Sequence, residues 1–418
     1  MNSEASAPAA SAPAIRSSWK RAGKDAGGPR ILAGLAALLL AGCLWLPCLH
    51  FFFAKPASDF RQARGLSPKA TQLAARHLRL WTDPQLRQQE LRRMRASNAE
   101  WDFMGRSFLV WSLANMSLRD PAGKPAYLQS IDQIIDETTR LEKQEGMYFF
   151  LMPYARGRSY VAQPAHSLFL DSEIAMMLAS RCMVEDKPEY RPLLTDRVNG
   201  MPERLRKSPR LVLESYPDEC WMFDHAVALA AIRMTDYLDG SDHSGLIRDW
   251  LAMARQRLVH PETGLLWSSF TADRQVLDGP EGSSIWMIAH CLQFVDEDFA
   301  RDQYARARKE LGVTTLGFGY AHEWPASWKG NADIDSGPIV PFFEISAGSS
   351  GMAFVSASAF GDEQYLSALA ATIDFAGFPS RTAGRLKYCA SNQVGDAALL
   401  YAATLGPLCE KVKTGKKP

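Results

Sequence analysis

Ala226-Val-Ala-Leu-Ala-Ala-Ile232 and Ile285-Trp-Met-Ile-Ala-His-Cys-Leu292 are apolar on almost every face, whereas Arg301-Asp-Gln-Tyr-Ala-Arg-Ala-Arg-Lys-Glu310 carries charge on most of its turns. A helix that is apolar all round belongs inside other helices, and a striped, charged helix belongs outside. The contrast recurs along the chain, where apolar residues keep helical spacing and alternating strand patterns are scarce. Residues 70–95 precede 101–118, 127–143 precede 167–185, and 189–206 precede 221–238. Likewise 245–258 precede 284–294, 299–311 precede 342–360, and 364–375 precede 394–405. Six inner helices ringed by six outer ones form an (α/α)6 toroid. An α-solenoid is the competing arrangement, but its repeats are more uniform in length than these. The predicted class is all-α, a toroid preceded by one N-terminal transmembrane helix.

The connectors separate two ends of this object. Short acidic or glycine turns at 119–123, 185–188, 239–242, 296–298 and 361–363 alternate with long loops at 146–166, 208–220, 260–283, 312–341 and 377–394. Long loops are where function concentrates. Each leads into the N-terminus of an inner helix, whose partial positive charge favours carboxylates and anions.

The first 30 residues are rich in Ala, Ser and Pro and read as a disordered tail. From Ile31 to Phe53 the chain is nearly continuously apolar, enough to cross a bilayer. Arg16, Lys20, Arg21, Lys24 and Arg30 precede it, so the positive-inside rule puts the N-terminus in the cytoplasm and the main domain outside. Leu40-Ala-Gly-Cys43 supports a second reading, a bacterial lipoprotein signal lipidated at Cys43. The stretch before the apolar run is long for a signal peptide, and the run continues past Cys43. The toroid occupies 54–410, and 411–418 read as a basic tail. A net charge of +1 excludes a nucleic-acid-binding surface on composition. Five cysteines after the apolar run, Cys182, Cys220, Cys291, Cys389 and Cys409, give neither a disulfide framework nor a zinc pattern. No metal or organic cofactor is expected, and oligomeric state is not legible.

The loops entering inner helices are acidic. Asp171-Ser172-Glu173 opens one, and Ser215-Tyr216-Pro-Asp218-Glu219-Cys220-Trp221 leads into Asp224 in the next. Glu281-Gly-Ser283-Ser-Ile-Trp286 opens a third, Asp333-Ile-Asp335 precedes the fifth, and Ser391-Asn-Gln-Val-Gly-Asp396 opens the sixth. Capping accounts for any single one, but not for paired carboxylates in successive loops. Asp224 lies one turn inside an apolar helix, where a carboxyl needs a partner or a raised pKa. Such a group is a good proton donor. His225, pointing about 100° away, reads as a packed histidine. Tyr154 and Arg156, with His322, Glu323, Trp324 and Trp328, are candidate walls or lids.

Tyr216-Pro-Asp-Glu-Cys-Trp-Met-Phe-Asp-His-Ala-Val-Ala228, then Tyr237-Leu-Asp-Gly240, Trp250-Leu251 and His260-Pro-Glu-Thr-Gly264, resemble the linalool dehydratase/isomerase family, over about residues 100–405. The resemblance implies an (α/α)6 fold and acid/base dehydration, hydration or double-bond migration of a small alcohol without a cofactor. This chain departs from the family at its reactive positions. The family's two active-site cysteines correspond to Ser215 and Asp224, and its histidine to Ser172.

Two enzymatic classes follow. In a lyase or isomerase, Asp224 is the acid, Asp171 or Glu173 the base, and Ser215 positions the hydroxyl. Tyr154, Ser172, Tyr216, Asp218, Glu219, Cys220, Trp221, Ser283, Trp286 and Asp335 are then candidate substrate contacts. In a carbohydrate-active enzyme on cell-envelope glycan, two carboxylates and aromatic platforms do the work. A third reading is a membrane-tethered binding protein whose acids are caps. An apolar cavity favours the first, an open aromatic groove the second, and no cavity the third.

Overall fold

A computed structural model describes residues 27–330 and 336–415. The chain divides into two compact units, Met1–Cys48 and Leu49–Pro418. Helix α1 (Gly27–Leu49) belongs largely to the first. The apolar run Arg30–Phe52, which includes most of α1 and one 3-10 turn, is long enough to cross a membrane.

The second unit follows the expected alternation. After α2 (Ala57–Phe60) come α3 (Pro68–Thr82), α4 (Pro84–Ser97), α5 (Ala99–Arg119), α6 (Lys124–Glu145), α7 (Leu168–Val184), α8 (Arg191–Lys207) and α9 (Met222–Asp239). Then α10 (Ser244–Arg257), α11 (Gly282–Leu292), α12 (Glu297–Glu310), α13 (Ala347–Phe360), α14 (Glu363–Ala376), α15 (Gln393–Thr404) and α16 (Pro407–Thr414) complete it. Helix α5 packs on α7, α7 on α9, α9 on α11, α11 on α13, α13 on α15, and α15 back on α5. These contacts close a ring, which an open solenoid does not do. Helices α6, α8, α12, α14 and α3 pack against this ring. The fold is an (α/α)6 toroid.

Burial follows the composition contrast. Every residue of α7 except Asp171 is buried, while α12 buries only Phe299, Ala300, Gln303 and Ala307. Three local expectations are corrected. The predicted first outer helix is broken, because Pro84 disfavours helical backbone at Asp83, which is extended and caps α4 by accepting from Leu86 N. Residues 342–346 are not helical: Ile339–Val340 and Ile345–Ser346 pair as a hairpin, and α13 begins at Ala347. Residues 411–414 of the expected basic tail belong to α16, which buries Leu408, Cys409 and Val412 and packs on α5, and 416–418 lie outside the described residues.

The long loops carry the small amount of sheet. Cys220–Trp221, Ser269–Phe270 and Val276–Asp278 form three short strands, and Gly312–Thr315/Phe318–Ala321 and Pro379–Thr382/Arg385–Tyr388 are hairpins. All lie at the end where the inner helices begin.

Candidate active site

The inner-helix N-termini converge on a cavity of about 530 Å³. All six inner helices reach it, with Phe108 from α5, Phe169 from α7, Asp224 from α9, Ser284 from α11, Met352 from α13 and Leu399 from α15 among the lining. Most of its wall is aromatic, aliphatic or glycine. The size and character are those of a small-molecule site, with a few polar groups in an apolar shell.

Asp224 is the polar group that the sequence singled out, and it lines this cavity while being buried. Burial raises its pKa to about 7, and the nearby Ser215 hydroxyl opposes the rise. Ser215 Oγ itself is buried without a well-directed hydrogen bond, so its hold on the carboxyl is weak. No lysine or arginine neutralises Asp224 among the described residues. Near neutral pH the group therefore exchanges a proton readily.

Glu173 lies fully buried on α7 behind the wall, with neither carboxyl oxygen in a well-formed hydrogen bond. Burial pushes its pKa well up, and the negative charges of Asp224 and Glu100 push it further, while Ser107 opposes them. Glu173 is thus held protonated and is unsuited to the role of base expected of it.

Glu100 is a cavity-lining carboxyl that sequence reasoning missed. It stands in the first turn of α5, whose N-cap Asn98 accepts from Glu100 N at 2.8 Å, and it lines the cavity. Tyr216 donates its hydroxyl to Glu100 and accepts from Met152 N at 3.0 Å. The charge of Glu100 and burial both hold the Tyr216 phenol protonated. Tyr154 stacks on Tyr216 with centroids 5.1 Å apart, and its hydroxyl donates to Glu219 at 2.9 Å. The sequence signal was present, since Asn98-Ala-Glu100-Trp101 opens an inner helix as the other acidic loops do.

The remaining expectations divide. Tyr154, Tyr216, Trp221 and Ser283 line the cavity. Asp171 is corrected: it accepts from Arg197 at 2.8 Å and Arg204 at 2.5 Å, both on α8, on the outward side of α7. Ser172 is corrected too, since its hydroxyl donates to Phe169 O within the helix. Trp286 is core, and its indole donates to Ser349. Asp218 shapes the turn before α9, with φ at 58° and its carboxylate accepting from Ala272 N. Cys220 is fully buried, and burial raises its thiol far from the thiolate range. Glu219 supports Tyr154, without lining the cavity. Asp335 lies outside the described residues.

Supporting groups are also visible. Glu214 accepts from the backbone N–H groups of Val161, Ala162 and Asp218, tying two long loops together behind Ser215. His225 is packed, as expected: Nε2 accepts from Leu213 N, which leaves Nδ1 to donate to Trp221 O. Burial lowers its pKa to about 4. Glu323 is buried and accepts from Ser283 N, so it orders the cavity wall from behind. Trp328 packs against Trp267 and His260. No group of three or more His, Cys, Asp or Glu side chains is arranged to hold a metal among the described residues.

No protein-family model and no curated protein matches this chain. Among solved structures, the GH76A alpha-1,6-mannanase of Salegentibacter sp. HEL1_6 is similar at a TM-score of 0.46 and 11% identity, over 73% of this chain and 89% of its own. An inactive variant of that mannanase in complex with alpha-1,6-mannotriose gives 0.47 and 10% over the same shares. A family 105 glycoside hydrolase from C. acetobutylicum ATCC 824 gives 0.47 and 12%, over 80% of this chain and 99% of its own. These are distant likenesses of helical arrangement and do not bear on substrate.

Proposed function

We propose that this protein is a membrane-anchored acid/base enzyme that breaks a carbon–oxygen bond in a largely apolar substrate, with Asp224 as proton donor. One observation carries the reading: a buried, uncompensated carboxyl with a pKa of about 7 on the wall of an apolar cavity. In a dehydration, Asp224 gives its proton to the departing hydroxyl oxygen as the C–O bond breaks, and water leaves. Glu100 takes a proton from the adjacent carbon, and that C–H electron pair becomes the double bond. Tyr216 holds Glu100 in place. Glu173 stays neutral, so Asp224 ionises without a second charge beside it on α7. This assignment replaces Asp171 and Glu173 as bases and keeps the acid/base chemistry that the sequence resemblance implies.

A second reading has its own support. Trp101, Trp221 and the Tyr154–Tyr216 stack give the cavity aromatic faces of the kind that sugar rings stack on. With Asp224 as acid and Glu100 as its partner, the bond broken would be glycosidic. The mostly apolar lining favours the first reading, because a polysaccharide brings many hydroxyls that need partners.

The test is turnover by the full chain in detergent, against a panel of isoprenoid alcohols and of α- and β-linked oligosaccharides. Alkene or rearranged alcohol appearing with parental protein, and lost with Asp224→Asn, is the expected result. Release of reducing sugar instead establishes the second reading. Product formation that survives Asp224→Asn in folded protein overturns both.

A further inference from the structure

The cavity has an unusual rim. Phe342 is fully exposed, and Phe343 and Val340 of the same hairpin are more than 45% exposed. Phe378 is 68% exposed, and Phe375 and Leu316 are exposed as well. Val340 and Ile345 of that hairpin, and Ile373, Ala376 and Gly377 just before Phe378, line one and the same cavity. Phe342, Phe378 and Leu316 all sit at positive φ, between 49° and 69°. Bulky side chains seldom adopt this backbone. A chain that gives strained turn positions to aromatic residues, and points them at solvent, is presenting them to something.

What they meet is indicated by the chain's own path. The apolar run ends at Phe52, and Phe53 packs on Phe375 with ring centroids 5.1 Å apart and on Phe318 at 6.4 Å. His50 lies against Phe318 and Gly317, in the turn that carries Leu316. The last residues of the apolar run therefore meet the part of this rim that carries Phe375 and Phe378. The hairpin Pro379–Thr382/Arg385–Tyr388 next to Phe378 carries Arg381, Arg385 and Lys387, and residues 377–394 contain no acidic side chain. Aromatic residues beside a basic stretch suit an interface with anionic lipid headgroups.

We propose that the substrate is a membrane-resident amphiphile, drawn from the bilayer across the Phe342–Phe378 rim, with its apolar chain in the cavity and its oxygen-bearing head at Asp224. This inference rests on the reading of the cavity as the substrate site. It narrows the substrate to a lipid-soluble alcohol or a lipid-linked head group. It also accounts for a mostly apolar cavity on a protein that carries an apolar anchor sequence.

Two measurements on the full chain test it. The protein is reconstituted in vesicles of phosphatidylcholine with about one-third phosphatidylglycerol, a mixture whose negative surface attracts basic segments. A phosphatidylcholine bearing a photoactivatable group in its acyl chain is included. After illumination, crosslinked peptides are expected from residues 27–53 and also from 336–346 and 375–390. Crosslinks confined to 27–53 overturn the proposal. Rim peptides that the lipid probe leaves unlabelled, and that a separate bifunctional crosslinker joins chain to chain, overturn it in favour of a second copy as occupant.

The second measurement compares a long polyisoprenoid alcohol embedded in the vesicles with a ten-carbon alcohol free in solution. The triple variant Phe342→Ser, Phe343→Ser, Phe378→Ser changes residues that do not line the cavity. Turnover of the embedded substrate should fall by on the order of tenfold, as apolar burial at the interface is lost, with the soluble substrate unaffected. Equal loss on both substrates, or on neither, overturns the rim's role. Asp224→Asn should abolish both activities, and if it abolishes neither, the reading of the cavity fails instead.

Discussion

Asp224 and Asp396 occupy the same place in two different helices. Each stands in the first turn of an inner helix, α9 or α15, each is buried, and burial raises each to a pKa of about 7. Their surroundings differ. Arg76 of α3 donates to Asp396 at 2.5 Å, from the outer side of the ring. Val394, Gly395, Ala398 and Leu399 line the cavity around Asp396, but Asp396 itself does not. Asp224 faces the cavity and has no such counter-charge. A perturbed pKa therefore does not by itself mark the reactive acid. The direction in which the carboxyl points, and the presence of a fixed cation, separate the proposed proton donor from a bolt between two helix layers.

The sharpest way to break this comparison is to neutralise each acid without changing its shape. Asp224→Asn should keep the fold and lower turnover of the cavity substrate by on the order of 10²-fold or more. Asp396→Asn should leave the turnover of the folded fraction within a few-fold of parental. Steady-state rates normalised to folded protein decide between them, and the reverse ranking would show that the reactive acid has been misassigned.

Stability should separate the pair in the opposite sense. Arg76→Met leaves Asp396 buried without its cation, a change that costs about 3 kcal/mol. For Asp224 the sign follows from its titration. The unfolded chain releases this proton near pH 4, while the folded protein holds it to about pH 7. The stability associated with the protonated group is complete below pH 4 and is lost as pH rises through 7. Asp224→Asn removes that loss, so its stability relative to the parent should improve between pH 5 and 8, by at most about 4 kcal/mol. Denaturant melts at the two pH values, taken as differences from the parent, measure both effects. The buried His77, His225 and His290, whose pKa values burial lowers, cancel in those differences.

Tyr216, which also lines the cavity, sharpens the same contrast. Tyr216→Phe removes the donor to Glu100 and the acceptor for Met152 N. Turnover should fall by roughly tenfold, through misplacement of Glu100, and stability by about 1–2 kcal/mol. If Glu100 acts as base, the acidic limb of the pH–rate profile should shift in this variant, whereas a purely structural tyrosine would lower the rate at every pH alike.

The ring was legible because inner helices are buried on every face, which composition alone reveals. The same property hid the directions within it. Helix α7 is apolar all round, so nothing in its sequence says which side faces the axis, and Asp171 and Glu173 looked interchangeable. Asp224 was recognisable because a carboxyl in an otherwise apolar helix has few alternative explanations. Glu100 carried the same helix-start signal as the other acids, but it follows the charged helix α4 and so stands out less from its surroundings. The run Phe342-Phe-Glu-Ile-Ser346 read as helix because a short apolar run has no period of its own. The tight turn between its two strands, with Phe342 and Glu344 at positive φ, is a tertiary fact.

The smallest effect belongs to Asp171, and it tests the comparison within a single helix. Residues two apart on a helix point about 200° apart, so Asp171 and Glu173 cannot both face the axis. Asp171 bridges Arg197 and Arg204, and Arg197 also pairs with Glu142 of α6, which links α7 to two outer helices. The network is partly open to solvent, which weakens each pair. Asp171→Asn should therefore cost only about 1 kcal/mol of stability, with turnover within about twofold of parental. Raised salt should shrink the stability difference, because partly exposed ion pairs are screened. Glu173→Gln alters a group that is already neutral and should leave the salt dependence as it is in the parent. A turnover loss in Asp171→Asn approaching that of Asp224→Asn would place a reactive carboxylate on the outside of the ring, and would undo the assignment of acids by the direction they face.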